Sequence, residues 1–259
     1  AQLPPDLALP VLDLNDPEEA AMLSLAIVVA IAAQPAPPAP DALALVRRYD
    51  AVMSPPFFEA QTVMVAKRED GTTRTYKMKT QKSGKDKLRA QFLEPAAAKG
   101  QEMLRNGENL WLWMPNLKRA VRVASRDSFM GGDFNNADVL RVNYEADYEP
   151  SVDKSDPTAD ILVLKAKSQS AAYDAIKLWM SREKTPQPIK AEFYAASGKV
   201  LRKAEFFDVK DFGGGLVRPS RIKMSNEISV GRSSEMSWDA IAVKDEIPAQ
   251  RFVLDDLGR

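Results

Sequence analysis

The fold of this chain is best predicted from residues 107–138, GENLWLWMPNLKRAVRVASRDSFMGGDFNNAD. The segment opens with an apolar, aromatic strand at Leu110–Met114, which Pro115 closes because proline cannot donate a ladder hydrogen bond. A basic segment with alternating valines follows, then a glycine-rich bend and a short helix signal at residues 136–140. The pattern is typical of a protein that encloses something apolar and controls access to it. It contains no recognisable bond-breaking site.

Composition excludes several classes of function. The chain has 259 residues with no His and no Cys, and its 36 basic and 36 acidic side chains give a formal net charge of zero. Without these residues, Ser-His-Asp triads, thiol nucleophiles and thiolate metal sites are all impossible. Zero net charge gives no general attraction to nucleic acid, so we expect no nucleic-acid partner. Chemistry based on carboxylates, on Ser/Lys pairs or on oxygen-ligated cations survives the exclusion.

The region after residue 40 predicts a mainly β domain. Asp41 is a candidate cap for a helix over residues 41–53, and the prolines at 55 and 56 end it. Period-two alternation then predicts about ten antiparallel strands, with residues 143–160 as an acidic excursion. The predicted strands after Met114 are Ile161–Ala166, Ala175–Ser181, Ile189–Ala195, Val200–Val209, Leu216–Met224, Ile228–Val230 and Met236–Val243.

The first 40 residues differ in composition from the rest. Residues 1–21 are Pro-rich and acidic, residues 22–33 form the apolar run MLSLAIVVAIAA, and a Pro-Ala tract ends at residue 40. The run is shorter than the ~20 apolar residues of a membrane-spanning helix and matches the apolar core of a secretory signal. A buried helix is the alternative, because no positive charge precedes the run. We therefore divide the chain into an arm, 1–40, and a domain, 41–259.

Apolar side chains on one face of the strands are candidates for the wall of a ligand cavity. A small closed barrel would fill its interior with such side chains, whereas a half-open one would leave a cavity, and the sequence leaves both alternatives open. The candidate cavity residues are Met64, Met78, Phe92, Trp111, Leu112, Leu164 and Leu178.

The bend at residues 130–134 is a candidate gate. Gly131 and Gly132 lower the cost of changing backbone angles, and Met130 and Phe134 supply apolar side chains beside them. A static tight turn is the alternative. The nearby Asp133 is better explained by a turn than by a cation site, and we expect no metal.

Two stretches carry a resemblance to a known family. The segment LWLWMPNLKRAVRVASRDSFMGGDF with NNADV, and the later YAASGKVLRKAEFFDVKDFGGGLVRPSRIKMSN, resemble the LolA-like outer-membrane lipoprotein-sorting family. The closing IPAQRFVLDDL is similar to the last segment of that family. The resemblance covers roughly residues 43–257 and is most specific over 110–138.

The resemblance implies both a fold and a function. The implied fold is an antiparallel half-barrel of about ten to eleven strands, curled around an apolar cavity with short covering helices. The implied function is non-enzymatic and needs no cofactor: an exported periplasmic carrier or chaperone that binds acyl chains of lipoproteins or lipids. Transfer would proceed toward the outer membrane, and an inner-membrane transporter of the resistance-nodulation-division (RND) type is an implied partner. The alternative is a periplasmic sensor or interaction module that uses the same half-barrel to bind a protein.

Overall fold

The computed structural model describes residues 41–259, which form one open antiparallel sheet of thirteen strands with few helices. Helix α1, Ala42–Met53, precedes the sheet, and the short helices α2, Asn136–Leu140, and α3, Tyr144–Asp147, lie between strands six and seven. The predicted arm and its signal-like run, residues 1–40, lie outside the described residues. The strands are β1 Phe57–Lys67, β2 Thr73–Ser83, β3 Lys87–Glu94, β4 Glu102–Asn106, β5 Asn109–Met114, β6 Arg119–Arg122, β7 Tyr148–Asp153, β8 Ala159–Ala166, β9 Ala175–Ser181, β10 Pro188–Tyr194, β11 Val200–Asp211, β12 Val217–Asn226 and β13 Ser233–Val243.

The first and last strands meet in the middle of the sheet. The spatial order is β6-β5-β4-β3-β2-β1-β13-β12-β11-β10-β9-β8-β7. Two meanders, β1 to β6 and β7 to β13, are thus joined by the pairing of β1 with β13. The edge strands β6 and β7 are consecutive in sequence, so the segment that contains α2 and α3 links the two edges.

Alternation and bulges explain the curled sheet. In β1, Phe58, Ala60 and Thr62 are buried, while the residues between them are more exposed, as the period-two pattern predicts. The pairing shifts register between Gln61 and Thr62 in β1, with further irregularities in β2, β10 and β11. Bulges of this kind increase local twist and bend a strand. The expected half-open architecture is confirmed, because the sheet does not close into a barrel.

Helix α1 lies against the inner face of the sheet. The side chain of Asp41 accepts a hydrogen bond from the backbone N–H of Leu43 at 3.0 Å, which caps the helix as predicted. The helix contacts the neighbouring strands β7 and β8 and also β12, which three strands separate from β8 in the sheet order. One helix reaches strands this far apart because the sheet curls around it. The buried side chains of α1 are Leu45, Val46, Tyr49, Val52 and Met53.

The outer face is covered near β3 to β5 by the C-terminal segment. Two 3₁₀ turns, Ala249–Phe252 and Leu254–Asp256, follow β13. Phe252 is fully buried and packs with Leu104, against which Trp111 and Trp113 also lie. The alternation of β5 therefore places its tryptophans in this second apolar cluster and Leu110 and Leu112 in the main core.

A buried arginine ties the C-terminal segment to the sheet. Arg89 on β3 is 3% exposed and donates to Glu102 and Asp256, each at 2.5 Å. It also donates to the backbone carbonyls of Arg251 and Asp256, each at 3.0 Å. This network fixes the segment by directional bonds as well as by apolar contact.

The strand count differs from the ten to eleven predicted. The alternation of apolar and polar residues did not predict strands β4, β6 and β7. Strand β4 was missed because it buries charged side chains on both faces, and β7 was missed because it contains Pro150 at a sheet edge. The excursion predicted over 143–160 is wrong, since α3, β7 and the start of β8 occupy it. The strand predicted at 228–230 is also wrong. Ile228 and Val230 lie 59% and 86% exposed in the turn between β12 and β13.

Candidate functional site

An apolar cavity lies between the inner face of the sheet and the covering helices. Its walls come from α1, α2 and α3, from the bend before α2, and from strands on both sides of the central β1–β13 pair. The sheet and the helices are thus both needed to form it. The lining residues are Tyr49, Met53, Ser54, Phe58, Thr62, Thr80, Leu88, Phe134, Asp138, Val139, Val142, Tyr144, Phe193, Ala204, Phe206, Arg218, Ile222, Met224, Met236 and Trp238.

The cavity is narrow in this conformation. Its volume is about 70 Å³. One water needs about 10–15 Å³ on the same measure, so there is room for about five waters. A long acyl chain therefore fits only if the covering helices and the sheet move apart.

Aromatic rings form the wall beneath α1. Tyr49 stacks on Tyr144 with ring centroids 4.9 Å apart, and the edge of Phe206 meets Tyr49 at 6.4 Å. Tyr144 also meets Tyr148 at 5.4 Å. Burial raises the pKa of both Tyr49 and Tyr144 well above the usual range, so these hydroxyls stay neutral. The wall is thus uncharged, and it holds α3 against α1.

A buried cation, Arg218 on β12, also lines the cavity. It is 2% exposed, its Nη1 donates to the carbonyl of Met53 at 2.9 Å, and its Nε donates to the carbonyl of Pro219 at 3.0 Å. The guanidinium lies over the ring of Trp238, 4.3 Å from the centroid. Among residues 41–259, no group accepts a hydrogen bond from Nη2 and no carboxylate lies within 4.0 Å. Burial lowers the pKa of Arg218 to about 10, so the side chain remains a cation at neutral pH.

The carboxylate of Asp138 reaches the cavity from α2 but already has partners. It accepts from the backbone N–H of Asn135 at 2.7 Å and from the hydroxyl of Tyr173 at 2.8 Å. Arg202 donates to Asn135 at 2.5 Å and to the Tyr173 hydroxyl at 3.0 Å. Burial raises the pKa of Asp138. This network anchors the start of α2 to the sheet.

A charged depression adjoins the cavity and shares Ser54 and Val142 with it. Lys82 donates to the carbonyl of Ser54 at 2.7 Å and to its hydroxyl at 2.5 Å, and burial lowers the pKa of Lys82 to about 8. Asp50 on α1 accepts from the backbone N–H groups of Tyr144 and Glu145, each at 2.9 Å. Burial raises the pKa of Asp50 to about 6. These bonds fasten the start of α3 and the end of α1 at the rim.

The predicted cavity residues occupy other positions in the structure. Met64, Met78, Phe92, Leu164 and Leu178 are at most 1% exposed and pack into the main core, and none of them is among the residues that line the cavity. Leu112 packs against the same core, and Trp111 packs on the outer face. These side chains are packed against protein in the present conformation, and their contact with a ligand stays a prediction.

The predicted gate is a 3₁₀ turn tethered on several sides. Met130 and Gly131 have φ of +53° and +78°, and the carbonyl of Met130 accepts from the hydroxyl of Tyr76 at 3.1 Å. Gly132 is extended, and a Cβ there would lie 3.0 Å from the hydroxyl oxygen of Ser234. Phe134 is 3% exposed and is the member of this segment that lines the cavity. The structure thus places one end of the bend at the cavity wall, and its movement stays a prediction.

Acidic side chains near the bend serve protein contacts. Asp133 accepts from Ser234 at 3.0 Å and from Asn226 at 3.1 Å, and it lies 3.4 Å from Arg232. Within residues 41–259 there is no group of three or more His, Cys, Asp or Glu side chains placed to hold a metal ion.

Sequence reasoning missed Arg218, although a signal for it exists. Along β12 the period-two pattern places Arg218 on the same face as Ile222 and Met224, both of which line the cavity. A lone arginine in register with inward apolar residues therefore marks a buried cation. The lining residues of α1, Tyr49 and Met53, follow equally from the helical spacing of its apolar face.

Comparison with known proteins agrees with this geometry. A LolA superfamily protein from Nitrosomonas europaea is 26% identical, with a TM-score of 0.75 over 84% of this chain and 99% of that one. A DUF1329 family protein from Desulfovibrio piger is 18% identical, with a TM-score of 0.73 over 83% and 97% of the two chains. An outer membrane lipoprotein-sorting protein domain from Vibrio parahaemolyticus is 22% identical, with a TM-score of 0.69 over 84% and 97%. No curated protein matches the chain.

The curled open sheet and its covered cavity define a LolA-like protein. A family model described as an uncharacterized protein matches residues 84–259, which is more than half of the chain. The chain belongs to that family, and its fold is the lipoprotein-sorting fold of the LolA superfamily. None of the helices in residues 41–259 is long and apolar enough to cross a membrane.

Proposed function

We propose that this protein is a non-enzymatic carrier or chaperone that shields the acyl chain of a lipid or lipoprotein in the cavity beneath α1. The observation that supports it is an apolar cavity enclosed by sheet and helices, in a fold shared with lipoprotein-sorting proteins. Burial of each methylene of an acyl chain contributes about 0.8 kcal/mol, which drives such binding without any chemical step.

The place of action that we propose is the periplasm. The signal-like run at residues 22–33 supports export, and the expected direction of transfer is toward the outer membrane. An inner-membrane RND-type transporter is the proposed partner. Pull-down from detergent-solubilised membranes with the full chain tests this partnership, and capture of abundant porins instead would count against it.

Occupancy of the cavity is tested with a neutral apolar dye, N-phenylnaphthylamine. We expect micromolar affinity and displacement by fatty acid or lipopeptide. Ala204 is 1% exposed in the cavity wall, so Ala204→Phe should fill the space and weaken dye binding by tenfold or more, as an order-of-magnitude expectation. The matched control is Ala240→Phe at an exposed position of β13. Equal dye affinity in both variants, with both folded by circular dichroism, would remove the cavity as the binding site.

The narrowness of the cavity supports a second candidate, a sensor or interaction module that binds a partner protein and carries nothing. Extraction of purified protein with organic solvent, followed by lipid mass spectrometry, separates the two functions. Bound acyl lipid supports the carrier. Protein free of lipid that also fails to bind the dye supports the interaction module.

A further inference from the structure

The unpartnered nitrogen of Arg218 is the most unusual polar atom in the cavity. Two of the three guanidinium nitrogens are held by the carbonyls of Met53 and Pro219, while Nη2 is buried and has no hydrogen-bond partner within residues 41–259. A buried donor without an acceptor costs roughly 1–3 kcal/mol, and more when it carries charge. Arg48, Arg202 and Arg232 also leave one buried Nε without a hydrogen-bond partner, but their side chains are partly exposed, whereas Arg218 is 2% exposed.

Other buried arginines of this protein are satisfied by their neighbours. Arg89 is paired with Glu102 and Asp256, and Arg141 is paired with Asp147 at 2.7 Å. Arg105 lacks a carboxylate partner, but it donates to three backbone carbonyls and leaves no buried nitrogen unpaired. Arg218 differs from these three because it combines a missing counter-charge with an unpaired donor on a side chain that lines the cavity.

The carboxylate within the cavity does not compensate Arg218. Asp138 also lines the cavity, but it is bound to Asn135 and Tyr173 and makes no ion pair with Arg218. The position of the Arg218 guanidinium is fixed, because one of its faces lies on the ring of Trp238 and two of its nitrogens donate to the carbonyls of Met53 and Pro219. A cation held in place before a ligand arrives loses little conformational freedom when it binds one.

We propose that Nη2 of Arg218 binds an anionic oxygen at the head of the carried molecule. The ligand class is then an amphiphile with a carboxylate or phosphate group at the end of an apolar chain. The apolar wall formed by side chains such as Phe58, Ile222 and Met236 contacts the alkyl chain of the ligand, and Arg218 binds its anionic head group. This inference rests on the proposed carrier function and names the chemistry of its cargo.

The test compares three ligands with equally long alkyl chains on the 259-residue protein: laurate, dodecyl phosphate and dodecanol. Displacement of N-phenylnaphthylamine gives the three affinities. A charge-assisted hydrogen bond in a desolvated site corresponds to about a 10- to 100-fold preference for an anion over the alcohol. The ratio of the affinities for laurate and dodecyl phosphate then shows whether the site prefers a carboxylate or a phosphate head group.

The matched variants are Arg218→Met, Arg218→Lys and the exposed control Arg119→Met on β6. We expect Arg218→Met to lose the preference for the anion while keeping its affinity for dodecanol within a few-fold. Arg218→Lys should keep part of the preference, since the charge remains and the planar fork does not. The control should behave as wild type.

Each outcome bears on a different proposal. If none of the three ligands binds, the carrier function itself is refuted. If all three bind equally well to wild type, the carrier stands and the role of Arg218 is overturned. The same holds if Arg218→Met keeps the full preference. If Arg218→Met fails to fold, the wild-type protein still tests the proposal, because equal affinities for the three ligands would overturn it without any variant.

Discussion

Removing the charge of Arg89 should destabilise the protein severely. Arg89 is 3% exposed and Glu102 is 1% exposed, so Arg89→Met leaves a buried carboxylate with the backbone N–H of Gly258 as its remaining partner. Breaking a buried ion pair from one side costs about 3–5 kcal/mol. For a domain of this size each kcal/mol lowers Tm by about 2–4 °C, so we expect a decrease of roughly 6–20 °C.

The double variant Arg89→Met with Glu102→Leu isolates the cause. Replacing both charges with apolar side chains removes the unpaired carboxylate, so the double variant should recover at least about 1 kcal/mol relative to Arg89→Met. The control is Lys77→Met, because the ion pair between Lys77 and Glu94 is about half exposed at both partners and is worth about 0–1 kcal/mol.

Thermal and urea unfolding, followed by circular dichroism, measure these differences, and trypsin reports on the C-terminal segment. Arg251 should be cleaved much faster in Arg89→Met, because its segment has lost three hydrogen bonds to the sheet. A loss of stability in Arg89→Met no larger than that in Lys77→Met would refute the reasoning. So would a double variant that is less stable than the single one.

Three further predictions use other parts of the molecule. Gly131→Ala should cost about 1 kcal/mol through its positive φ, while Gly132→Ala should cost more because its Cβ meets a neighbour at 3.0 Å. If the bend is a gate, dye exchange slows in both variants, and unaltered exchange with lower Tm leaves only a static turn. Burial raises the pKa of Asp50 from 3.8 to about 6, so its stabilising contribution is complete below pH ~4 and is lost as the pH rises through 6. Urea unfolding should show wild type losing about 2 kcal/mol relative to Asp50→Asn between pH 4 and 7, and a constant difference would contradict the shift. Gly258→Ala places a Cβ 2.7 Å from the ring of Trp113, so fluorescence should report a more exposed indole, and an unchanged spectrum would show that the ring can move aside.

The local parts of the fold were predictable because their signals are local. The cap at Asp41, the apolar face of α1 and the alternation of β1 each depend on residues within one or two turns or pleats. The short helix α2 was predicted for the same reason. Strand β4 was not, because its buried Glu102 and Arg105 look exposed until the fold brings them their partners, which include the distant Gly258 and Leu140.

An apolar cavity on the inner face of the sheet was predictable from the sequence, but the residues that line it were not. The sequence shows which side chains face inward, but it does not show which of them find protein neighbours and which are left beside empty space. Met64 and Met236 share the inner face and are paired across β1 and β13, yet only Met236 lines the cavity. The difference arises from where the covering helices rest, which depends on long-range bonds such as those of Asp50 to α3.

The pairing of β1 with β13 has a consequence for the order of folding. Residues 57–67 can pair early with β2, but their pairing with residues 233–243 must wait until β13 has been synthesised, so the two meanders join late. Each meander can form local hairpins earlier, but neither can enclose the cavity alone. Loop closure over this distance makes folding slow, and a chain that stays incompletely folded during synthesis remains open to export machinery and chaperones.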